Sequence, residues 1–206
     1  MSYVPIFHLT VPAVWLAVLL AAAAASLIMR WVIGDKIGEW YWNAVPLYIL
    51  VWKFSYILFS FEHFLDMPLS LLYFNGGLYG HLLAVALVSI YLALAQKKQA
   101  ELARQAPVAW LLFFLAYQLI LQSVENNWME AALHAALLAA SILAIRLLAK
   151  RTDVPTGLLL VLLFTLELLI LSIFGPLLTW QNATVIFLAA VTIAMYTGFE
   201  KKGPIL

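Results

Sequence analysis

The chain has 206 residues and a formal net charge of +1; 66% of the residues are hydrophobic, 10% are charged, and the mean hydropathy is +1.02. A soluble domain carries about 25% charged residues, so this composition excludes a soluble enzyme and a disordered chain, and the near-zero net charge gives no electrostatic footprint for nucleic acid. Cysteine is absent, which excludes disulfides, thiolate metal sites and a cysteine nucleophile.

A helix that crosses the hydrocarbon core needs about 20 apolar residues. In chain order seven stretches meet that requirement: 9–29, 40–61, 71–95, 106–124, 129–148, 154–174 and 179–196. None alternates in polarity as a barrel strand would. The predicted fold class is therefore all-α, a polytopic integral membrane bundle of seven transmembrane helices forming a single domain over residues 1–206. The first span is not read as a cleaved signal. Residues 21–25 are all alanine, but no basic residue precedes the apolar run.

The basic residues set the orientation. Arg30 and Lys36 follow span one, Lys97, Lys98 and Arg104 follow span three, Arg146, Lys150 and Arg151 close span five, and Lys201 and Lys202 follow span seven. Ten of the eleven basic residues thus fall on one side, which the positive-inside rule makes cytoplasmic. The N-terminus is then outside and the C-terminus cytoplasmic. Trp31, Trp40, Trp42, Trp110, Trp128 and Trp180 stand near span ends, as an interfacial aromatic belt does.

Topology gives each intramembrane polar residue a depth. Lys53 lies in the outer half of span two, and Asn75 and His81 near the outer end of span three. Gln118, Gln122 and Glu125 share one face of span four at spacings i, i+4 and i+7. Glu130 and His134 open span five, Glu167 lies seven residues before the end of span six, and Gln181 and Asn182 open span seven. Ionisable side chains inside a membrane are costly, about 2.5–3.5 kcal/mol on insertion scales, and face the protein interior. One outward-facing polar cavity is the simplest reading, with Lys53 and Glu167 as its deepest pair of opposite sign. Lys53 with Glu167 could instead serve only to orient two helices, and Gln118 with Gln122 to hold spans together. His81 and His134 read equally as satisfied core residues or as bases. The spacing of histidines and carboxylates is not that of a zinc site, so no metal or other cofactor is expected.

The most distinctive stretch runs from Asp66 through Met-Pro-Leu-Ser-Leu-Leu-Tyr-Phe-Asn-Gly-Gly-Leu-Tyr to Gly80. With Gly76, Gly77 and Gly80 it resembles the prolipoprotein diacylglyceryl transferases, which carry His-Gly-Gly-Leu-x-Gly after a Pro-Leu-Glu stretch. Lys53-Phe-Ser-Tyr-Ile-Leu-Phe59 is similar to the family's Arg-Leu-Gly-Tyr-Val-Leu-Phe run, Arg146 through Gly157-Leu-Leu-Leu160 to its fifth-to-sixth junction, and Leu178-Thr-Trp-Gln181 to its Leu-Thr-Met-Gly-Gln. The resemblance covers most of the chain. It implies a bacterial cytoplasmic membrane and a phospholipid partner, phosphatidylglycerol, whose diacylglyceryl group the family transfers to a lipoprotein precursor.

Departures from the family are concentrated in its chemistry. Asn75 replaces the family's histidine, Gln122-Ser-Val-Glu-Asn-Asn-Trp128 stands where Gly-Arg-x-Gly-Asn is expected, and Glu167 replaces an arginine. Arginine's bidentate fork is the usual clamp for a phosphodiester. The leading expectation is therefore a diacylglyceryl transferase-like membrane protein that binds a phospholipid, a lipoprotein or another membrane partner without the usual catalysis. Lys53, Asn75, Gly76, Gly77, Gly80, Gln118, Gln122, Glu125, Asn126, Glu130, Glu167, Gln181 and Asn182 would line its site. The alternative is an active lipid transferase with His81 or His134 as its catalytic base. A third reading is a small proton-coupled transporter.

Overall fold

A computed structural model describes residues 3–6, 9–148, 156–177 and 179–202; Lys150 and Arg151 of the basic side, and Leu178 ahead of the last span, lie outside the described residues. The chain packs as two compact units, Gly38–Leu102 and the pair of segments Met1–Ile37 and Ala103–Leu206. Among the described residues seven helices are long and apolar enough to cross a membrane: Ala13–Ile33, Glu39–Phe59, Gly77–Ala95, Glu101–Val124, Trp128–Leu147, Gly157–Phe174 and Trp180–Phe199. The protein is thus an integral membrane protein, and among the described residues its regular structure is helical apart from one short hairpin.

In the larger unit that hairpin precedes the first span. Strands β1 (Tyr3–Ile6) and β2 (Leu9–Pro12) pair antiparallel, with Val4 opposite Val11 and Ile6 opposite Leu9. The span predicted from residue 9 therefore begins only at Ala13. Thr10 and Val11 are β-branched and favour the strand, and Pro12, at φ −56° and ψ 130°, has no N–H to place in a helix interior. Helix α1 (Ala13–Leu27) buries Ala13, Ala17, Ala21 and Ala25 at 1% exposure or less. This four-residue spacing puts small side chains on one stripe, where neighbouring backbone can approach closely. The helix runs into a π-helical turn, Ile28–Ile33, that Gly34 ends at φ +86°. The Gly34 and Asp35 amides both donate to the Met29 carbonyl, at 2.9 and 3.0 Å.

The same unit contains nearly all of α5 (Ala100–Val124), and α6 (Trp128–Leu148), α7 (Thr156–Phe174) and α8 (Trp180–Lys202). Helix α5 starts six residues ahead of the predicted span because Ala100-Glu-Leu-Ala-Arg-Gln105 is made of good helix formers too polar to count as membrane-embedded. Helix α8 likewise continues past residue 196, to Lys202. Phe114, Leu171 and Val185 form a core from α5, α7 and α8, flanked by Trp110, Phe113, Tyr117 and Leu168. Trp110 stacks on Phe113 at 5.3 Å and donates through Nε1 to the Val185 carbonyl at 3.4 Å. It is a packing residue rather than a member of the interfacial belt.

The smaller unit contains α2 (Glu39–Phe59), α3 (Phe61–Asp66), a 3-10 turn (Pro68–Leu72) and α4 (Gly77–Ala95). Trp40 is buried here against the edge of Tyr41, whereas Trp31, Trp42, Trp128 and Trp180 are exposed. The span predicted from residue 71 begins at Gly77, because Pro68 initiates a separate turn and Gly77 takes a left-handed φ of +58°. Helices α2 and α4 pack along one another. Their close approach is set by glycine: a Cβ on Gly76 would lie 2.9 Å from Gly80 Cα and Ser55 Cβ, and one on Gly80 would lie 3.2 Å from the Trp52 carbonyl oxygen.

Candidate functional site

The polar residues that the sequence singles out form two clusters, one in each unit. In the smaller unit they tie the α2–α4 connection to α2. Gly76 N donates to the Trp52 carbonyl at 3.0 Å, Trp52 Nε1 donates to the Gly77 carbonyl at 3.2 Å, and Lys53 Nζ donates to the Leu72 carbonyl at 2.9 Å. Tyr56 donates through its hydroxyl to Ser70 Oγ at 3.0 Å and stacks on Phe74. Asn75 Oδ1 accepts from Gly77 N at 2.9 Å, an Asx turn that stabilises the left-handed Gly77. The Gly76 and Gly77 amides are therefore both engaged inside the chain. One helical turn into α4, buried His81 shares a 2.6 Å hydrogen bond between its Nδ1 and the Tyr48 hydroxyl.

The connection keeps an apolar surface although its backbone is tied down. Leu65, Met67, Leu69, Leu72, Tyr73 and Phe74 are each more than half exposed. Nearby, Phe54, Ile57, Leu58 and Phe61 line an open apolar groove of about 440 Å³. Lys53 stands beside that groove in the sequence and reaches the connection through its ammonium group.

In the larger unit the polar groups bond to each other. Asn127 Nδ2 donates to Gln122 Oε1 at 2.8 Å, and Gln122 Nε2 donates to Glu130 Oε1 at 3.0 Å. Glu130 Oε1 is 3.6 Å from His134 Nε2, and His134 Nδ1 is 3.1 Å from Glu167 Oε2. Three helices build this row. Gln122 comes from the last turn of α5, Glu130 and His134 from one face of α6, and Glu167 from the buried stripe of α7 that also holds Leu160, Phe164 and Leu171. The row passes from exposed Asn127 to His134 and Glu167, both at 0% exposure. His134 Nε2 and Glu167 Oε1 are buried without a hydrogen-bond partner. Among the described residues no group of three or more acidic or imidazole side chains is arranged to hold a metal ion.

Glu167, expected to neutralise Lys53, has His134 as its hydrogen-bond partner, while Lys53 donates to Leu72 within its own unit. Several other candidates have local structural work. Asn126 takes the left-handed φ of +63° that turns α5 into α6, a conformation asparagine tolerates. Asn182 donates through its side chain to the Pro176 carbonyl at 3.3 Å, and its amide donates to Thr179 Oγ1, capping α8. Gln118 is buried, and Glu125 and Gln181 are exposed. One cluster escaped sequence reasoning altogether. Gln105, 2% exposed, donates to Asp35 Oδ1 at 2.9 Å and to the Lys36 carbonyl at 3.0 Å, and Arg104 pairs with Asp35 at 3.0 Å. Tyr48, Trp52 and Tyr56 were likewise unsuspected, because tyrosine and tryptophan in a span read first as apolar surface or belt. Comparison with family models, with curated proteins and with solved structures finds no match for this chain.

Proposed function

We propose that this integral membrane protein binds a phospholipid at the apolar connection between α2 and α4, and does so without diacylglyceryl transfer. The observation that carries this reading is the connection itself. Four hydrogen bonds from α2 hold it in one place, yet its large apolar side chains face outward. Large apolar side chains presented from a backbone tied down in this way support a lipid-contacting surface. The groove along Phe54, Ile57 and Leu58 suits an acyl chain, and Lys53 brings a positive charge to its edge, which suits a lipid phosphodiester. By the distribution of basic residues this end of the protein faces outward, with the C-terminus in the cytoplasm. The resemblance in the Gly76–Gly80 region makes phosphatidylglycerol in a bacterial cytoplasmic membrane the lipid to test first.

Transfer chemistry is disfavoured by the same geometry. A phosphodiester leaving group needs preorganised donors. The Gly76 and Gly77 amides are engaged, and residues 38–102 contain no arginine. Mass spectrometry of lipids copurifying with the protein tests the reading. An anionic phospholipid is expected in stoichiometric amount with the wild type and in reduced amount with Lys53→Met. A lipid profile that merely mirrors the host membrane for both forms refutes it. Transfer of labelled diacylglycerol to a cysteine-containing lipoprotein peptide would replace it with the active-transferase alternative.

A further inference from the structure

The geometry points to a proton-exchange site in the larger unit, in which His134 passes a proton between Glu130, 9% exposed at the margin of the core, and Glu167, at 0% exposure. The imidazole lies between the two carboxylates with one ring nitrogen turned to each. Nδ1 is 3.1 Å from Glu167 Oε2, and Nε2 is 3.6 Å from Glu130 Oε1. A purely structural histidine in an apolar core has its polar atoms satisfied. Here Nε2 lacks a hydrogen bond at 0% exposure, and so does Glu167 Oε1. An unpartnered nitrogen aimed at a carboxylate just beyond hydrogen-bond reach is the arrangement of a transfer step that is open in this conformation.

The bookkeeping closes without any further reactant. In the starting arrangement Glu130 is protonated, His134 carries its proton on Nδ1, and Glu167 is ionised. Glu130 Oε1 gives its proton to Nε2, and Nδ1 gives its proton to Glu167 Oε2. Glu130 is left ionised, His134 is again neutral with the proton on Nε2, and Glu167 is neutral. The two end states and the imidazolium intermediate carry the same single net negative charge, so the proton moves without adding charge to the membrane interior. Glu130 must approach Nε2 for the first step, and Gln122, which holds Glu130 Oε1 at 3.0 Å, is the positioning residue that governs that approach.

No polar atom within hydrogen-bond reach continues the row past Glu167 Oε1 among the described residues. The site therefore stores a proton rather than conducting it across the membrane, which separates it from the transporter reading. The other groups on neighbouring elements are few. Helix α5 contributes Tyr117 and the neutral Gln118 and Gln122, with exposed Glu125 one residue past its end; α8, which packs on α7, contributes Gln181, Asn182 and Tyr196; and the π-helical turn that packs on α6 contributes exposed Arg30. The two carboxylates on α6 and α7 are thus the charges that decide where the proton lies.

The test uses the full chain, labelled with 15N-histidine, in phosphatidylglycerol–phosphatidylcholine nanodiscs. Magnetic resonance follows the His134 ring, assigned by its loss in His134→Asn, from about pH 8 to pH 5, where imidazole ordinarily changes charge. Infrared difference spectra over the same range follow protonated carboxyl groups. The expected result is a His134 ring that passes between its Nδ1–H and Nε2–H forms, together with a protonated-carboxyl band that Glu167→Gln removes. Gln122→Ala is expected to change the tautomer ratio without removing the band. A wild-type ring that stays in one tautomer and neutral throughout overturns the proposal, and this arm needs no variant to fold. A carboxyl band that survives Glu167→Gln overturns it as well.

Discussion

The two units use their polar side chains in different ways. In Gly38–Leu102 the polar side chains of α2 bond mainly to the connection that follows it: Lys53 to the Leu72 carbonyl, Trp52 to the Gly77 carbonyl, Tyr56 to Ser70. In the larger unit Asn127, Gln122, Glu130, His134 and Glu167 are joined side chain to side chain, and the row ends in unpartnered atoms. A group bonded to backbone fixes shape. Groups bonded to each other around an imidazole can exchange protons and still keep their shape. The comparison thus separates a unit whose polar side chains tie down an apolar connection from one whose polar side chains are joined to each other.

The largest effect should come from breaking the buried row at its centre. His134→Leu leaves Glu167 without a partner in an apolar interior, and removal of one member of such a pair costs about 3–5 kcal/mol. Replacing both, His134→Leu with Glu167→Leu, should recover most of that loss, since an apolar pair of similar volume carries no unpaired charge. Thermal unfolding in detergent reads both. A double variant no more stable than the single one would show that His134 packs rather than pairs.

Next in size are the glycines of the smaller unit. Gly80→Ala places a Cβ against Ser55 Oγ and 3.2 Å from the Trp52 carbonyl oxygen, and overpacking of this kind costs about 1–3 kcal/mol. Gly76→Ala meets Gly80 Cα at 2.9 Å as well, which is backbone and cannot swing aside. Adding Ser55→Ala should therefore rescue much of the Gly80→Ala loss and little of the Gly76→Ala loss. Equal rescue of both, in the same unfolding measurement, would mean that the helix spacing is set elsewhere.

The seven spans were legible because apolar length is a property of the chain alone, and six of them keep the predicted end at Phe174, Val124 and their equivalents within a few residues. The misreadings occur where local chemistry overrides hydropathy: Pro12 and the strand pairing at the first span, Pro68 and Gly77 at the third, helix-forming polar residues at Ala100–Val124. The i, i+4 spacing of Glu130 and His134 was visible, and so was the depth of Glu167. Their convergence was not, since a sequence gives the face of each helix but not which face it meets. Gln105 with Asp35 stayed hidden for a simpler reason: it stands among basic residues that orientation rules explain without it.

Lys53→Met sharpens the comparison from the side of the surface. The loss of one charge-assisted bond to Leu72, offset by removing an ammonium from a span, should destabilise the protein by about 1 kcal/mol. Its clearer signature is local. Hydrogen exchange should quicken over residues 68–76 and stay unchanged in α6 and α7. Exchange that quickens in both units would mean that the two clusters are one device, and the division drawn between them would fail.

The smallest stability effect is expected for Gln122→Ala. It removes two hydrogen bonds, but Asn127 is exposed, so water replaces that partner, and Glu130 can turn toward His134, so the loss is about 0.5–1 kcal/mol. Its weight lies in what it does to Glu130, which is freed to close the 3.6 Å gap to His134 Nε2. A variant that barely moves the unfolding temperature yet shifts the His134 tautomer ratio would mark Gln122 as a restraint on proton movement. One that lowers stability by several times that amount, with the ratio unchanged, would place it among the groups that fix shape, and the two units would then differ less than their hydrogen bonds suggest.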